Sequence, residues 1–220
     1  FLNEDGHEWL PIHLNDGDTP PSLDGFDALW VMGGPMDVWE ENTYPWLRDE
    51  KKLIQEAVER RGMPFLGLCL GHQLLAEALG GECGKSEYAE IGVLKVKLTE
   101  EGSTGILFDG LPETFNCLQW HTAEVKRMPA GAQCLATSSD CAIQAMSWGP
   151  RAYSMQFHLE VEHDTVDNWI AVPSYSEALA SVLGVNGAPM LKAACDAQAG
   201  CFKQMAERFY INWFHTSAKI

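Results

Sequence analysis

Over the first eighty residues, short apolar runs bounded by glycine and proline alternate with stretches of helical period. Residues Asp27 to Met32 lie between Gly25 and Gly33-Gly34-Pro35. With no periodicity inside and breakers on both sides, they read as a buried strand ending in a turn. From Pro45 to about Arg61 the apolar residues Trp46, Leu47, Leu53, Ile54, Ala57 and Val58 recur at helical spacing, and Gly62 ends the pattern. A second buried strand is predicted over Pro64 to Leu68, then a helix from Leu70 to Leu79 that stops at Gly80-Gly81. Strand, helix, strand, helix is the order of an α/β protein, with parallel strands covered by helices on both faces.

The pattern changes near residue 91. Leu94, Val96 and Leu98 alternate with Lys95 and Lys97, as in a half-exposed strand. Further short strands are expected around 115–121, 133–137, 142–147 and 152–158, separated by Gly, Pro and Ser/Asp turns. Consecutive strands imply antiparallel pairs joined to the parallel core. After Asp164 the chain turns helical. Ser174 and Glu177 have the spacing of a capping box, and Pro189 is expected to open a last helix. Its stripe of Leu191, Ala194, Cys195, Phe202, Met205, Phe209 and Trp213 would pack onto the domain.

Composition narrows the classes. At 220 residues, with 46% hydrophobic and 21% charged residues, the chain suits one globular domain with a modest appendage. The net charge of −16 argues against nucleic acid and anionic membrane as partners, because both need a basic surface. No apolar run approaches the ~18–20 residues needed to span a bilayer. The seven cysteines are odd in number and form no C-x-x-C, so reduced thiols in a cytoplasmic protein are expected. The chain opens on Phe1, within what reads as a helix-to-loop passage, and residues upstream of it are expected.

Candidate chemistry centres on Gly67-Leu68-Cys69-Leu70-Gly71-His72-Gln73. A nucleophile on a tight strand-to-helix turn needs small residues two positions to either side, where the backbone closes on itself. Gly67 and Gly71 stand there, as in a thiol version of the G-x-S-x-G elbow. The turn would hold the sulfur of Cys69 at a helix N-terminus, where partial positive charge favours thiolate. In Met155 to Glu160, an extended backbone would put His158 and Glu160 on one face. A carboxylate beside an imidazole fixes its tautomer and stabilises its cation. Gly33-Gly34-Pro35 allows close backbone approach, so that N–H groups can face a developing oxyanion. Cys83, Cys117, Cys134 and Cys141 read as buried structural thiols. His163 and Glu162 extend the His158/Glu160 cluster, but their spacing matches no common zinc pattern, and neither metal nor cofactor is implied.

These three segments, in this order, resemble the class I (triad) glutamine amidotransferases. The likeness covers roughly residues 1–165 and is greatest for free-standing members similar to the amidotransferase part of GMP synthase; γ-glutamyl peptidases are wider relatives. It implies a three-layer α/β/α fold of flavodoxin-like type with a mixed, mostly parallel sheet, and the helical pattern beyond it reads as a C-terminal extension over 166–220 packed on that domain. It also implies Cys69 as nucleophile, His158 as general base and then acid, and Glu160 as its orienter. The amides of Gly34 and Leu70 would form the oxyanion hole. Gly33, Gln73 and the Trp120-His121-Thr122 segment would bind the substrate, glutamine or another γ-glutamyl compound. Two departures stand out: Leu159 replaces the family's usual proline, and the family's first core strand has no counterpart before Phe1.

The sequence contains neither G-x-x-x-x-G-K-[ST] nor G-x-G-x-x-G, so any ammonia acceptor is expected on a separate synthetase chain. A γ-glutamyl peptidase that delivers no ammonia, and a non-catalytic binding or regulatory subunit on the same scaffold, are the alternative readings. Oligomeric state is left open.

Overall fold

The computed structural model describes residues 1–217. Seven strands form a sheet in the order β1-β2-β7-β6-β5-β3-β4. They span Leu29–Val31 (β1), Phe65–Leu68 (β2), Glu82–Leu98 (β3), Thr114–Arg127 (β4), Ala132–Thr137 (β5), Ala145–Trp148 (β6) and Ala152–Met155 (β7). The helices are Trp46–Gln55 (α1), Leu70–Ala78 (α2), Glu100–Thr104 (α3), Thr165–Ile170 (α4), Pro173–Leu183 (α5) and Gly187–Ser217 (α6). A π-helical turn, Glu56–Arg60, carries α1 on toward Gly62, whose φ of +60° ends it.

The architecture is the expected mixed α/β one, but parallel pairing is confined to β1-β2 and β2-β7. The other four pairings are antiparallel, so the sheet is not mostly parallel. The reason lies in the connections. A helix separates β1 from β2 and permits a parallel crossover, whereas β5, β6 and β7 follow one another through short turns that reverse the chain. Both faces of β2 are covered: Phe65 enters a core with α1 and α2, while Leu66 and Leu68 enter the opposite core with Phe209 and Trp213 of α6. That double burial accounts for its unbroken apolar run.

The β3–β4 hairpin is far longer than the alternation at 94–98 suggested, because its outer half carries Glu, Lys and Gly. Irregular register between Lys85 and Glu90 bends it. The sheet therefore curls. β4 ends the strand order, yet Leu118 exchanges backbone hydrogen bonds of 3.1 and 2.8 Å with His158, just beyond β7.

Two helix starts differ from expectation. α5 begins at Pro173 behind Val172, with no side-chain cap. Ser174 therefore lies inside the first turn and makes no capping box with Glu177; the preset φ of proline at the first helical position starts the helix two residues early. α6 begins at Gly187, two residues before Pro189, which falls in the first turn, where no N–H is needed. The buried stripe of α6 runs through Leu191, Cys195, Phe202, Phe209 and Trp213. Trp213 donates its indole N–H to the Phe65 carbonyl at 3.2 Å, tying α6 to the strand that leads into Cys69. No single described helix is long and apolar enough to cross a membrane.

Candidate active site

Cys69 joins β2 to α2 with φ +53° and ψ −103°, the one described non-glycine residue at positive φ. Such a conformation costs ~1–3 kcal/mol and persists only where its surroundings impose it. The two flanking glycines supply that imposition. A Cβ on Gly67 would lie 2.5 Å from the Gly71 carbonyl oxygen, and one on Gly71 would lie 2.1 Å from the Val31 carbonyl oxygen. Backbone thus touches backbone on both sides of the turn, as the G-x-C-x-G spacing requires. The Cys69 amide extends the β2–β7 ladder by donating to the Met155 carbonyl at 2.9 Å.

His158 arrives from the other side. β7 ends at Met155, so the pair does not rest on a continuous strand; the Leu118–His158 bridge fixes the backbone instead. His158 Nδ1 is hydrogen-bonded to Glu160 Oε1, and the second oxygen of Glu160 accepts from the Leu159 amide at 2.9 Å. That turn uses an ordinary backbone N–H of Leu159, which a proline at this position would lack. Burial opposes a charge on His158, but the Glu160 carboxylate and the Cys69 sulfur outweigh it and raise its pKa to about 10. Glu160, although its side chain is 37% exposed, is held below the usual carboxylate range: burial pulls upward, and His158 with the local amides more than offsets it.

Gly33 closes the gap between the two. A Cβ there would lie 3.4 Å from Cys69 Cβ, 3.9 Å from its Sγ and 3.6 Å from His158 Cε1. At Gly34 a Cβ would come within 3.1 Å of Leu70 Cδ2. The two segments expected to supply oxyanion donors therefore touch. Leu70 opens α2, where the first amides have no acceptor within the helix.

The remaining expected residues occupy different places. Both amide hydrogens of Gln73 are used inside the fold, on the Ala123 carbonyl (3.2 Å) and on Gln156 Oε1 (3.0 Å). His121 donates from Nδ1 to the same Ala123 carbonyl at 3.0 Å, and its Nε2 lies 3.1 Å from Glu90. Glu90 in turn accepts from Ser138 and Gln144, each at 2.7 Å. Trp120 is buried edge-on against Trp169, whereas Thr122 is exposed. The structure thus brings Trp120 toward the centre through Trp169, engages His121 and Gln73 internally, and turns Thr122 outward. His72, buried beside Ser154 (2.8 Å), has its pKa lowered to about 3 by burial and serves as a neutral packing residue.

Three residues near the centre were not singled out by the sequence. Trp169 of α4 packs edge-on against the His158 ring with centroids 4.7 Å apart, and Tyr175 of α5 lies tilted against Trp169 with centroids 5.9 Å apart. Gln156 places its amide nitrogen 3.6 Å from Cys69 Sγ. Its position two residues before His158 is the one clue the sequence held.

A strained cysteine on a strand-to-helix turn, an imidazole held by a carboxylate, and glycine-lined amides beside them define a cysteine-dependent hydrolase on an α/β scaffold. Residues 9–171 match the profile of the family "Glutamine amidotransferase class-I", and the chain belongs to that family. The glutamine amidotransferase-like protein YfeJ of Salmonella typhimurium is 31% identical over 205 residues, covering 92% of this chain and 82% of that protein. GMP synthase of Aeropyrum pernix is 37% identical over 64% of this chain, and a glutamine-hydrolyzing GMP synthase subunit of Methanocaldococcus jannaschii 39% identical over 57%. The matched stretch spans 27% of the former and 65% of the latter. Among solved structures, a glutamine amidotransferase of Thermotoga maritima superposes with a TM-score of 0.82 at 26% identity, over 96% of this chain and 89% of that one. One from Methylobacillus flagellatus gives 0.85 at 26%, over 98% and 87%.

Proposed function

We propose that the chain hydrolyses the side-chain amide of glutamine through a γ-glutamyl thioester on Cys69. The observation that carries this reading is the convergence at Gly33, against which both the sulfur of Cys69 and the ring of Glu160-bound His158 are packed. Cys69 attacks the amide carbon as the thiolate, favoured by the His158 cation and the first amides of α2. Negative charge then passes to the carbonyl oxygen, facing the amides of Gly34 and Leu70; such donors are commonly worth about 3–4 kcal/mol. His158 gives its proton to the nitrogen, the C–N bond breaks and ammonia leaves. A water molecule, deprotonated by the now neutral imidazole, attacks the thioester; the C–S bond breaks and glutamate departs. Covalent catalysis divides one difficult amide hydrolysis into two easier steps.

The relatives named as glutamine-hydrolyzing subunits of GMP synthase support a further reading, in which the released ammonia reaches an acceptor held by a separate synthetase chain. The substrate side is built from Gly33 at the sulfur, with Trp120 reaching the centre through Trp169. Gln73 and His121, both engaged within the fold, act on the site through their neighbours. The test is glutamate release by the purified protein from glutamine and from γ-glutamyl dipeptides, with ammonia followed for glutamine, beside Cys69→Ala. Turnover of glutamine that vanishes in Cys69→Ala is the expected result. Turnover of dipeptides with none of glutamine would replace the proposal with a γ-glutamyl peptidase.

A further inference from the structure

The orientation of two buried side-chain amides can be worked out from one carbonyl. Gln73 lies 3.2 Å from the Ala123 oxygen. A backbone carbonyl only accepts, so the Gln73 atom facing it is Nε2. That same nitrogen lies 3.0 Å from the Gln156 side chain, which must present its oxygen there. The other end of the Gln156 amide is therefore its nitrogen, and it points at Cys69 Sγ from 3.6 Å. Ala123 itself is committed, since its oxygen also accepts from His121 Nδ1 at 3.0 Å. Nor can Gln156 swing away easily: it is fully buried, its backbone amide donates to the Gln144 carbonyl at 2.8 Å, and Cys69 bonds its neighbour Met155.

We propose that Gln156 is a further catalytic residue, donating a side-chain N–H to the Cys69 sulfur, and that Gln73 is the positioning residue that fixes the orientation of that donor. The inference rests on Cys69 being the nucleophile. An N–H aimed at sulfur favours its anion over the neutral thiol, because the anion accepts a much stronger hydrogen bond. The donor is a side chain just beyond β7 and distinct from His158, so it can be removed while the His158–Glu160 pair is left in place.

The test measures the sulfur directly, without a substrate. The rate of Cys69 alkylation by iodoacetamide is followed by peptide mass spectrometry across pH, with exposed Cys201 as an internal standard. Gln156→Leu, which keeps bulk and removes the donor, is expected to slow Cys69 alkylation by up to about tenfold on the acid side of the profile. Its rate–pH profile should move upward by about one unit, the size expected for losing one hydrogen bond to a charged atom, while Cys201 is unmoved. Gln73→Leu should move the profile in the same direction by less. If Gln156→Leu fails to fold, Gln156→Asn, which withdraws the amide by one carbon, must give the same displacement. A folded Gln156 variant with an unmoved Cys69 profile overturns the proposal, and any loss of turnover in it would be structural. A wild-type protein inert toward glutamine would defeat the proposed function instead, while the alkylation profile would still report on Gln156.

Discussion

Replacing Gly71 by alanine introduces one methyl group at the tightest point behind the nucleophile. The new Cβ would stand 2.1 Å from the Val31 carbonyl oxygen, 2.8 Å from its carbon and 3.2 Å from Val31 Cβ. Carbon and oxygen that are not bonded pack at roughly 3.3–3.5 Å, so β1 and α2 must separate locally by about 1 Å. Both partners are backbone, and no side-chain rotation can relieve the contact. Overpacking of a filled interior costs about 1–3 kcal/mol, and a backbone clash belongs at the upper end. The displaced helix carries Cys69 at its N-terminus, and a shift of this size in a reacting group costs on the order of 100-fold in rate. Gly200, on the exposed face of α6 with no atom within 4 Å of its Cβ position, is the matched control; alanine there should stabilise by about 0.5–1 kcal/mol. Urea unfolding of both variants, with glutamine turnover measured beside it, gives the comparison. A Gly71→Ala protein as stable and active as the wild type would refute the account of the elbow.

Three more outcomes follow from charges. Glu160→Gln removes the carboxylate that keeps His158 protonated to about pH 10; turnover should fall on the order of 10³-fold, and the high-pH limb of the rate profile should move downward. Burial raises the Glu50 carboxyl to about 7. A raised acid stabilises fully below its unfolded value and loses this as pH rises through 7, so Glu50→Gln should gain about 2–3 kcal/mol at pH 8 and nothing at pH 4 in denaturant titrations. Lys51, only 14% exposed, bonds Glu41 at 2.7 Å, Glu77 at 2.5 Å and the Val38 carbonyl at 2.9 Å; Lys51→Met strands two carboxylates and should cost about 1–3 kcal/mol by the same measurement.

What could be read from the sequence follows the range of the forces involved. The elbow was legible because its constraint is local: Gly67, Cys69 and Gly71 contact one another or the adjacent strand, and spacing alone records that. His158 and Glu160 were legible for a similar reason, although the strand expected to align them stops at Met155 and the Leu118 bridge holds them instead. The outer half of the β3–β4 hairpin was not, since Glu, Lys and Gly there follow no alternation once the hairpin bends at Lys85–Glu90. Pro173 competed with Ser174 for the start of α5 and won through its fixed φ. Trp169 reaches His158, and Tyr175 reaches Trp169, only after the sheet has curled, and nothing near position 158 announces them. Gln73 illustrates the limit most clearly. Its place in the turn was readable, but the direction of its amide depends on Ala123, fifty residues away.

The central claim is that Cys69 carries the γ-glutamyl group. Rapid acid quenching of the protein during glutamine turnover, followed by peptide mass spectrometry, tests it directly. The account predicts a γ-glutamyl adduct on the Cys69 peptide that vanishes in Cys69→Ala together with ammonia release. An adduct on another cysteine, or glutamine turnover that survives Cys69→Ala, would contradict it.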